Sequence, residues 1–422
     1  MIACNKIAVE ACGCDQEAEA TLISVEEALE RIRTKVTPLI ETEDVGLDRA
    51  IGRVLSAPIK AREQAPPFDN SAMDGYALRL ADLEGSGPWQ LPIQGRVAAG
   101  HFLKSNFRKG GVVKIFTGAR VPTGADAVVM QEEVERTATG ITINRCPSQG
   151  SHIRHAGDDM RKGQVILEAG RTLTSRDIAA CAAAGHGTVC VKRPIRIAIL
   201  VTGDEVHQSG ATRGQAGIWD VNTPMLTAAM QRPDIELVSI THAGDTKGAL
   251  IKSLVEISRN VDLIVTTGGI SVGEEDHVLP AMGDLGAEIC FSGVALKPGK
   301  PVSLGRIGAA VWLGLPGNPL SAFMTWTIFG SEILKCLRQS TVSKGAYRTA
   351  AIGQELRHKI GRTEFRLAQI AALDETGCER IVFLETTYSG RVAQLSEASG
   401  FIRIPAEAAI LPAGSFVEFY PF

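Results

Sequence analysis

The sequence predicts an α/β fold joined to β-rich parts, and three features of the 422-residue chain predict it. Apolar runs that end in glycine, "IRIAILVTG", "IELVSITHAG" and "VDLIVTTGG", read as parallel strands covered on both faces. Between the last two, "KGALIKSLVEIS" has helical apolar spacing at Leu250, Ile251, Leu254 and Val255. On either side of this block lie short strands broken by glycine and proline, the pattern of β-rich domains. A chain this long exceeds one ordinary core and needs roughly two to four domains.

In chain order, Ser24-Val25-Glu26-Glu27 matches a capping box, and Ala28, Leu29 and Ile32 continue an apolar stripe, so a first helix starts near residue 24. The segments "WQLPIQGRVAAG", "GVVKIFTGARVPTGADAVVMQEE" and "GITINRC" predict a β-rich block to about residue 163. "TSRDIAACAAAG" (174–185) predicts a helix of small residues stopped by Gly185. From 195 to about 340 strand and helix alternate, which predicts a three-layer α/β domain with a parallel sheet. From about 341, "EFRLAQIA", "RIVFLETT" and "FVEFY" predict a small β-barrel or sandwich.

A hydrophobic content of 45% with 22% charged residues is that of a soluble globular protein. The net charge of −3 gives no reason to expect nucleic acid or an anionic membrane as partner. An anionic ligand must then be met by a few local cations and backbone amides. The nine cysteines show no CxxC pair or zinc spacing, which fits a reducing cytosol. Cys12-Gly13-Cys14, with Cys4, reads as part of a leader rather than a metal site, since no histidine or further cysteine lies close by. That leader carries Glu10, Asp15 and Glu17 and lacks the apolar core of a secretory signal. No apolar run approaches the roughly 18 residues that cross a bilayer. The expected location is the cytoplasm.

The candidate chemistry begins at "PPFDNSAMDGYA" (66–77). Pro66 and Pro67 make this a loop, while Phe68, Met73 and Tyr76 would pack it, and a packed loop with spare carboxylates more often serves a site. In open α/β sheets ligands sit outside the carboxyl ends of the strands. There the chain places Glu205, Asp245 and Asp276. One aspartate at a strand end is usually a helix cap. Three acids on successive glycine-terminated strands point instead to a shared rim suited to Mg²⁺ and phosphate. "LKPGKP" offers Lys297 and Lys300, and "GLPGNPLS" offers Asn318 and Pro319 as the start of a helix whose free N–H groups face an anion. The "PGK" run is not a P-loop, because Val294 stands at the first glycine position and Pro301 replaces the hydroxyl residue. Gly269-Ile270-Ser271-Val272-Gly273 matches a nucleophile elbow, yet His277 follows too closely and no oxyanion motif precedes it. Ser271 therefore reads as an anion contact. "SHIRHAGDDMRKG" adds Arg154, Asp158 and Asp159; its His152 and His155 read as solvated side chains beside a turn rather than as a metal pair. Thr117 ends a strand and could face a ligand.

"PPFDNSAMDGYA", "TGAxxPxGADAVVMQEE", "RxxGDDMRxG", "VTGDE", "TTGGISVGEED", "KPGKP" and "GLPGNPLS" stand in the order found in the molybdopterin molybdenumtransferase family, the MoeA proteins and the E domain of gephyrin. The chain resembles that family over nearly its whole length from about residue 22. The resemblance implies an elongated homodimer with four domains per subunit. These are a linker/dimerisation domain (22–61 plus 164–194) with a β-rich domain (62–163) inserted in it, an α/β molybdopterin-binding domain (195–340) and a C-terminal β-barrel domain (341–422). It implies Mg²⁺-dependent insertion of molybdate into adenylylated molybdopterin with release of AMP, beside a partner molybdopterin adenylyltransferase. The implied site lies between the α/β domain of one subunit and the β-rich domain of the other.

By motif match, Asp159, Glu205, Asp245 and Asp276 carry over as functional acids, with Asp74 from the opposite subunit. Glu205, Asp245 and Asp276 are the candidate metal set, the sequence leaving open which of them touches the ion and which orients water, and Lys297 and Lys300 carry over as the anion-binding pair. Thr117, Ser271, Pro316, Asn318 and Ser321 complete the substrate contacts. One position departs from the pattern: where the family usually has a basic residue four positions before the first lysine of "KPGKP", this chain has Gly293. A non-catalytic dimeric scaffold of the gephyrin type is the rival reading; a scaffold could lose acids without penalty, and here every expected acid is present.

Overall fold

The computed structural model describes residues 22–270, 276–340, 347–373, 379–383, 390 and 392–422. Ser24 caps the first helix, Val25–Lys35, its hydroxyl accepting the Glu27 N–H at 3.0 Å. The stripe Val25, Ala28 and Ile32 packs with Ile197, Val265 and Phe329 in the largest core cluster, so this helix leans on the α/β domain.

The chain then leaves and returns through two neighbouring strand pairs. Thr42–Gly46 pairs antiparallel with Thr188–Lys192, and Ile59–Lys60 with Val165–Leu167. Val45, Leu55, Ile59, Leu173, Cys181 and Val191 form the core they share. The helix between them, Ser175–Ala183, has a reciprocal cap between Thr174 and Asp177. The β-rich segment in between is a six-stranded sheet in which Gly75–Leu78 lies between Val112–Ile115 and Ala127–Met130. Gly75 is forced by close approach, because a Cβ there would sit 2.0 Å from the Val129 carbonyl oxygen.

In the α/β domain the strands Ile195–Thr202, Ile235–Ala243, Leu263–Thr267 and Ala310–Leu315 are parallel, with Ile195–Thr202 between the next two. Ile197 and Ile199 face one core and Ala198 and Leu200 the other, as strands covered on both faces must. Helices Lys247–Ser258 and Val278–Asp284 cover one face, and Asn222–Ala229 with the helical run from Pro319 to Arg338 covers the other. The sheet departs from the expected all-parallel form. Ser303–Ile307 returns antiparallel to Ala310–Leu315 through the two-residue Gly308-Ala309 turn, and Glu288–Ser292 pairs antiparallel beyond it. A hairpin that short can join only antiparallel strands. The Ile235 strand also corrects its reading as a doubly covered strand: its residues alternate between exposed and half-buried, because it forms the sheet edge.

At the C-terminal end five strands, Arg348–Ile352, Thr363–Leu373, Glu379–Phe383, Gly400–Ile404 and Phe416–Pro421, pair in a closed ring around Ile352, Ile381, Ile402 and Phe419. Of the two expected forms, barrel and sandwich, this is the barrel. Leu296–Lys297 adds in parallel to Thr363–Leu373 and ties the "KPGKP" loop to it. Among the described residues no helix is long and apolar enough to cross a membrane.

Candidate active site

After the Ile195 strand the chain turns to one side of it, then crosses to the Leu263 strand on the other side. That reversal opens a crevice at the carboxyl ends of the two strands. A cleft of about 470 Å³ occupies it. Thr202, Gly203 and Glu205 follow the first strand into its wall, Asp245 follows the second, and Gly268, Gly269 and Asp276 the third. Gly317, Asn318 and Pro319 close it from beyond the Ala310 strand. Four of the expected residues, Glu205, Asp245, Asp276 and Asn318, are thus brought together.

Asp245 does structural work as well. Its Oδ2 accepts the Asp204 N–H at 2.7 Å while Asp204 Oδ1 faces the Asp245 N–H at 3.3 Å, a reciprocal clasp between two strand-end loops. Asn318 precedes the helix and Pro319 stands in its first turn, as expected. Asp220 and Asn222 are among the wall residues not read from the sequence. Asp220 is buried and accepts the Thr223 N–H at 2.9 Å, and Asn222 donates to the Gly317 carbonyl at 2.8 Å, fixing the turn before Asn318. Their only sequence sign is "DVNT" at a helix start, which reads as an ordinary cap. Among the described residues no three of His, Cys, Asp and Glu stand close enough together to hold a metal ion.

The other expected residues lie elsewhere in the same chain. Asp74 Oδ1 accepts both the backbone N–H and the hydroxyl of Thr117, at 2.8 and 2.9 Å. The amide first, then the hydroxyl, holds the Asp74 carboxyl below its ordinary range. Asp69 accepts the Ala156 N–H at 2.8 Å and lies 3.3 Å from His155 Nδ1; the amide and then the imidazole likewise lower it. Asp158 accepts the His155 N–H at 2.7 Å, and Asp159 next to it is exposed. His152 and His155 lie in no helix, which fits the turn reading. Asp74 and Thr117 thus meet on the β-rich part, Asp159 is exposed there, and none of the three lines the cleft of its own chain.

Lys297 and Lys300 do not line the cleft either. Lys297 Nζ lies 3.5 Å from Oε1 of the buried Glu364, which Arg366 also holds at 2.8 Å. Pro316 and Ser321 are buried outside the cleft wall, the Ser321 carbonyl accepting the Thr325 hydroxyl at 2.6 Å. Ser271 lies outside the described residues. Gly293 is buried at φ +88, and a Cβ there would lie 2.8 Å from Leu22 Cδ2. The missing basic residue thus reflects a left-handed backbone. Gly293→Lys is expected to lower the unfolding free energy by about 1–2 kcal/mol, the usual cost of that conformation for a side chain. Urea denaturation checks it, and an unchanged midpoint would show that the loop adapts freely.

A doubly wound domain with acids at its strand ends, joined to a β-rich segment and a closed barrel, defines a multidomain α/β protein. The chain belongs to the MoeA family, that of the molybdopterin molybdenumtransferases. Residues 23–185 match the model of the "MoeA N-terminal region (domain I and II)", 198–335 the "Probable molybdopterin binding domain" and 349–422 the "MoeA C-terminal region (domain IV)". The molybdopterin molybdenumtransferase of Haemophilus influenzae is 30% identical over 403 residues, 95% of this chain and 99% of the relative. Molybdopterin molybdenumtransferase 2 of Mycobacterium tuberculosis is 30% identical over 384 residues, 89% of this chain and 93% of its own. The solved MoeA protein of Pyrococcus horikoshii superposes with a TM-score of 0.82 at 26% identity, covering 95% of this chain and all of that one (100%).

Proposed function

We propose that this chain is a cytoplasmic molybdopterin molybdenumtransferase, inserting molybdate into adenylylated molybdopterin with release of AMP. The observation that carries the reading is the cleft that gathers Glu205, Asp245, Asp276 and Asn318 within the segment matched to molybdopterin binding. The division into domains at 61/62, 163/164, 194/195 and 340/341 belongs to the same reading. So does supply of the adenylylated substrate by a molybdopterin adenylyltransferase.

Mg²⁺ keeps several waters and usually takes one or two protein carboxylates together with phosphate oxygens. A cleft walled by carboxylates fits a cation that comes with its phosphates. One or two of Glu205, Asp245 and Asp276 would hold it, and when bound it supplies neutralising charge beside the phosphates. The residues of the chain do the rest. The Asp204–Asp245 clasp fixes two loops at the rim, Asn222 sets the turn before Asn318, and Lys297, held from behind by Glu364, and Lys300 offer charge to an oxyanion. In a homodimer, Asp74, Thr117 and Asp159 of one subunit would face the cleft of the other, with Asp74 kept ionised by Thr117.

Purified protein with adenylylated molybdopterin and Mg²⁺ is expected to release AMP only when molybdate is added. AMP measured by chromatography checks this. No release from the wild type would turn the reading towards a non-catalytic scaffold.

A further inference from the structure

The excursion between the Ile195 strand and the Asn222 helix folds back on itself. Val206–His207 pairs with Ile218–Trp219, the Ile218 N–H donating to the Glu205 carbonyl and the Asp220 N–H to the His207 carbonyl, each at 2.7 Å. This ribbon puts Ile218 and Trp219 into the wall of the acidic cleft. Both are exposed there, Ile218 by 54% and Trp219 by 42%. The Arg213 guanidinium lies 5.5 Å from the Trp219 ring centroid and is itself anchored to the Gly217 carbonyl, which steadies the indole.

An exposed tryptophan in a concave wall that also carries the carboxylates of Glu205, Asp220, Asp245 and Asp276 needs a reason, because large apolar side chains gain most by leaving water. A ligand that covers it must carry a flat apolar ring, while the polar remainder of the cleft receives its other groups. We infer that Trp219 is a stacking platform for a planar heteroaromatic ring borne by a phosphorylated ligand, with Ile218 as its apolar border. The inference rests on the transferase reading, whose substrate carries two such rings, adenine and pterin, and it adds the residue that grips one of them. No bond is made or broken in this step. Trp219 acts through face-to-face contact, so phenylalanine can stand in for it, whereas leucine keeps apolar bulk without a π-face.

Isothermal titration of the full-length protein with AMP, with 6-hydroxymethylpterin and with ribose 5-phosphate tests this. Trp219→Ala and Trp219→Leu are expected to weaken at least one ring compound by about tenfold or more, as loss of an aromatic platform does. Trp219→Phe is expected to restore most of the affinity, and ribose 5-phosphate to bind all four proteins alike. The compound that responds identifies the ring. Equal affinity of both ring compounds for wild type and Trp219→Ala would overturn the inference, as would a leucine variant as good as wild type. If neither ring compound binds the wild type while molybdate-dependent AMP release persists, only the stacking role falls. If both binding and AMP release are absent, the transferase reading falls with it.

Discussion

Asp262→Ala is expected to lower the unfolding free energy by about 3 kcal/mol at pH 7, the lower end of the range for breaking a buried ion pair. Asp262 immediately precedes the Leu263 strand, at the end away from the cleft, and its side chain is only 8% exposed. Arg193 grips it with two nitrogens at 2.6 and 2.9 Å, and Arg196 adds its backbone N–H at 2.8 Å and its guanidinium at 3.3 Å. Removing the carboxylate leaves an amide and a half-covered guanidinium without their acceptor. Arg193 also binds Glu41, so one charge partner survives, which holds the loss to the lower end. The pH dependence has a definite sign. Burial pushes the Asp262 carboxyl up, but the hydrogen bonds from Arg193 and Arg196 outweigh it and hold it below its ordinary range. A lowered carboxyl stabilises the fold fully above the unfolded aspartate pKa of about 4, and that contribution fades as pH falls through the lower folded value. Urea unfolding of wild type and variant should therefore differ by a constant amount from neutral pH down to about pH 5, then converge in more acid solution. A difference below about 1 kcal/mol at pH 7 would place the cluster among ordinary surface pairs.

Sequence reasoning reached the parts of this molecule that are set by local chemistry and by sheet topology. Ser24, the small-residue helix stopped by Gly185 and the doubly buried strands Ile195–Thr202 and Leu263–Thr267 were legible because helix ends and doubly buried strands have their own residue patterns. Glu205, Asp245 and Asp276 were legible for a different reason: parallel topology gathers strand ends at one rim, whatever the side chains do. The antiparallel edge was not, since "EICFS" and "SLGRI" are short and their pairing depends on a two-residue turn. Trp219 and Asn222 escaped because they lie in the excursion after the Ile195 strand and at the start of the helix that follows it, where no strand-end rule applies and only the fold brings them back to the cleft. The Lys297 contact with Glu364 joins a loop to the barrel far along the chain, a pairing that no local pattern carries.

In the proposed homodimer, Glu205→Ala and Asp74→Ala are each expected to lose at least about a hundredfold in AMP release, the usual cost of removing one preorganised polar group from a reaction centre. Dimers that combine one subunit of each variant should recover. Glu205 stands in the α/β cleft, whereas Asp74, just before the Gly75 strand, is fastened to Thr117 and does not line the cleft of its own chain. A site completed across a two-fold axis takes Glu205 from one subunit and Asp74 from the other. The mixed dimer then holds one centre with both substitutions and one with neither, so about half of the wild-type activity should return. Co-expression of the two variants with different affinity tags, and purification through both, isolates that species. If Asp74 served the cleft of its own subunit, each centre in the mixed dimer would carry one substitution and activity would stay at the level of the homodimers. Recovery would thus place Asp74 across the subunit boundary, and it would do so without depending on which acid touches the metal.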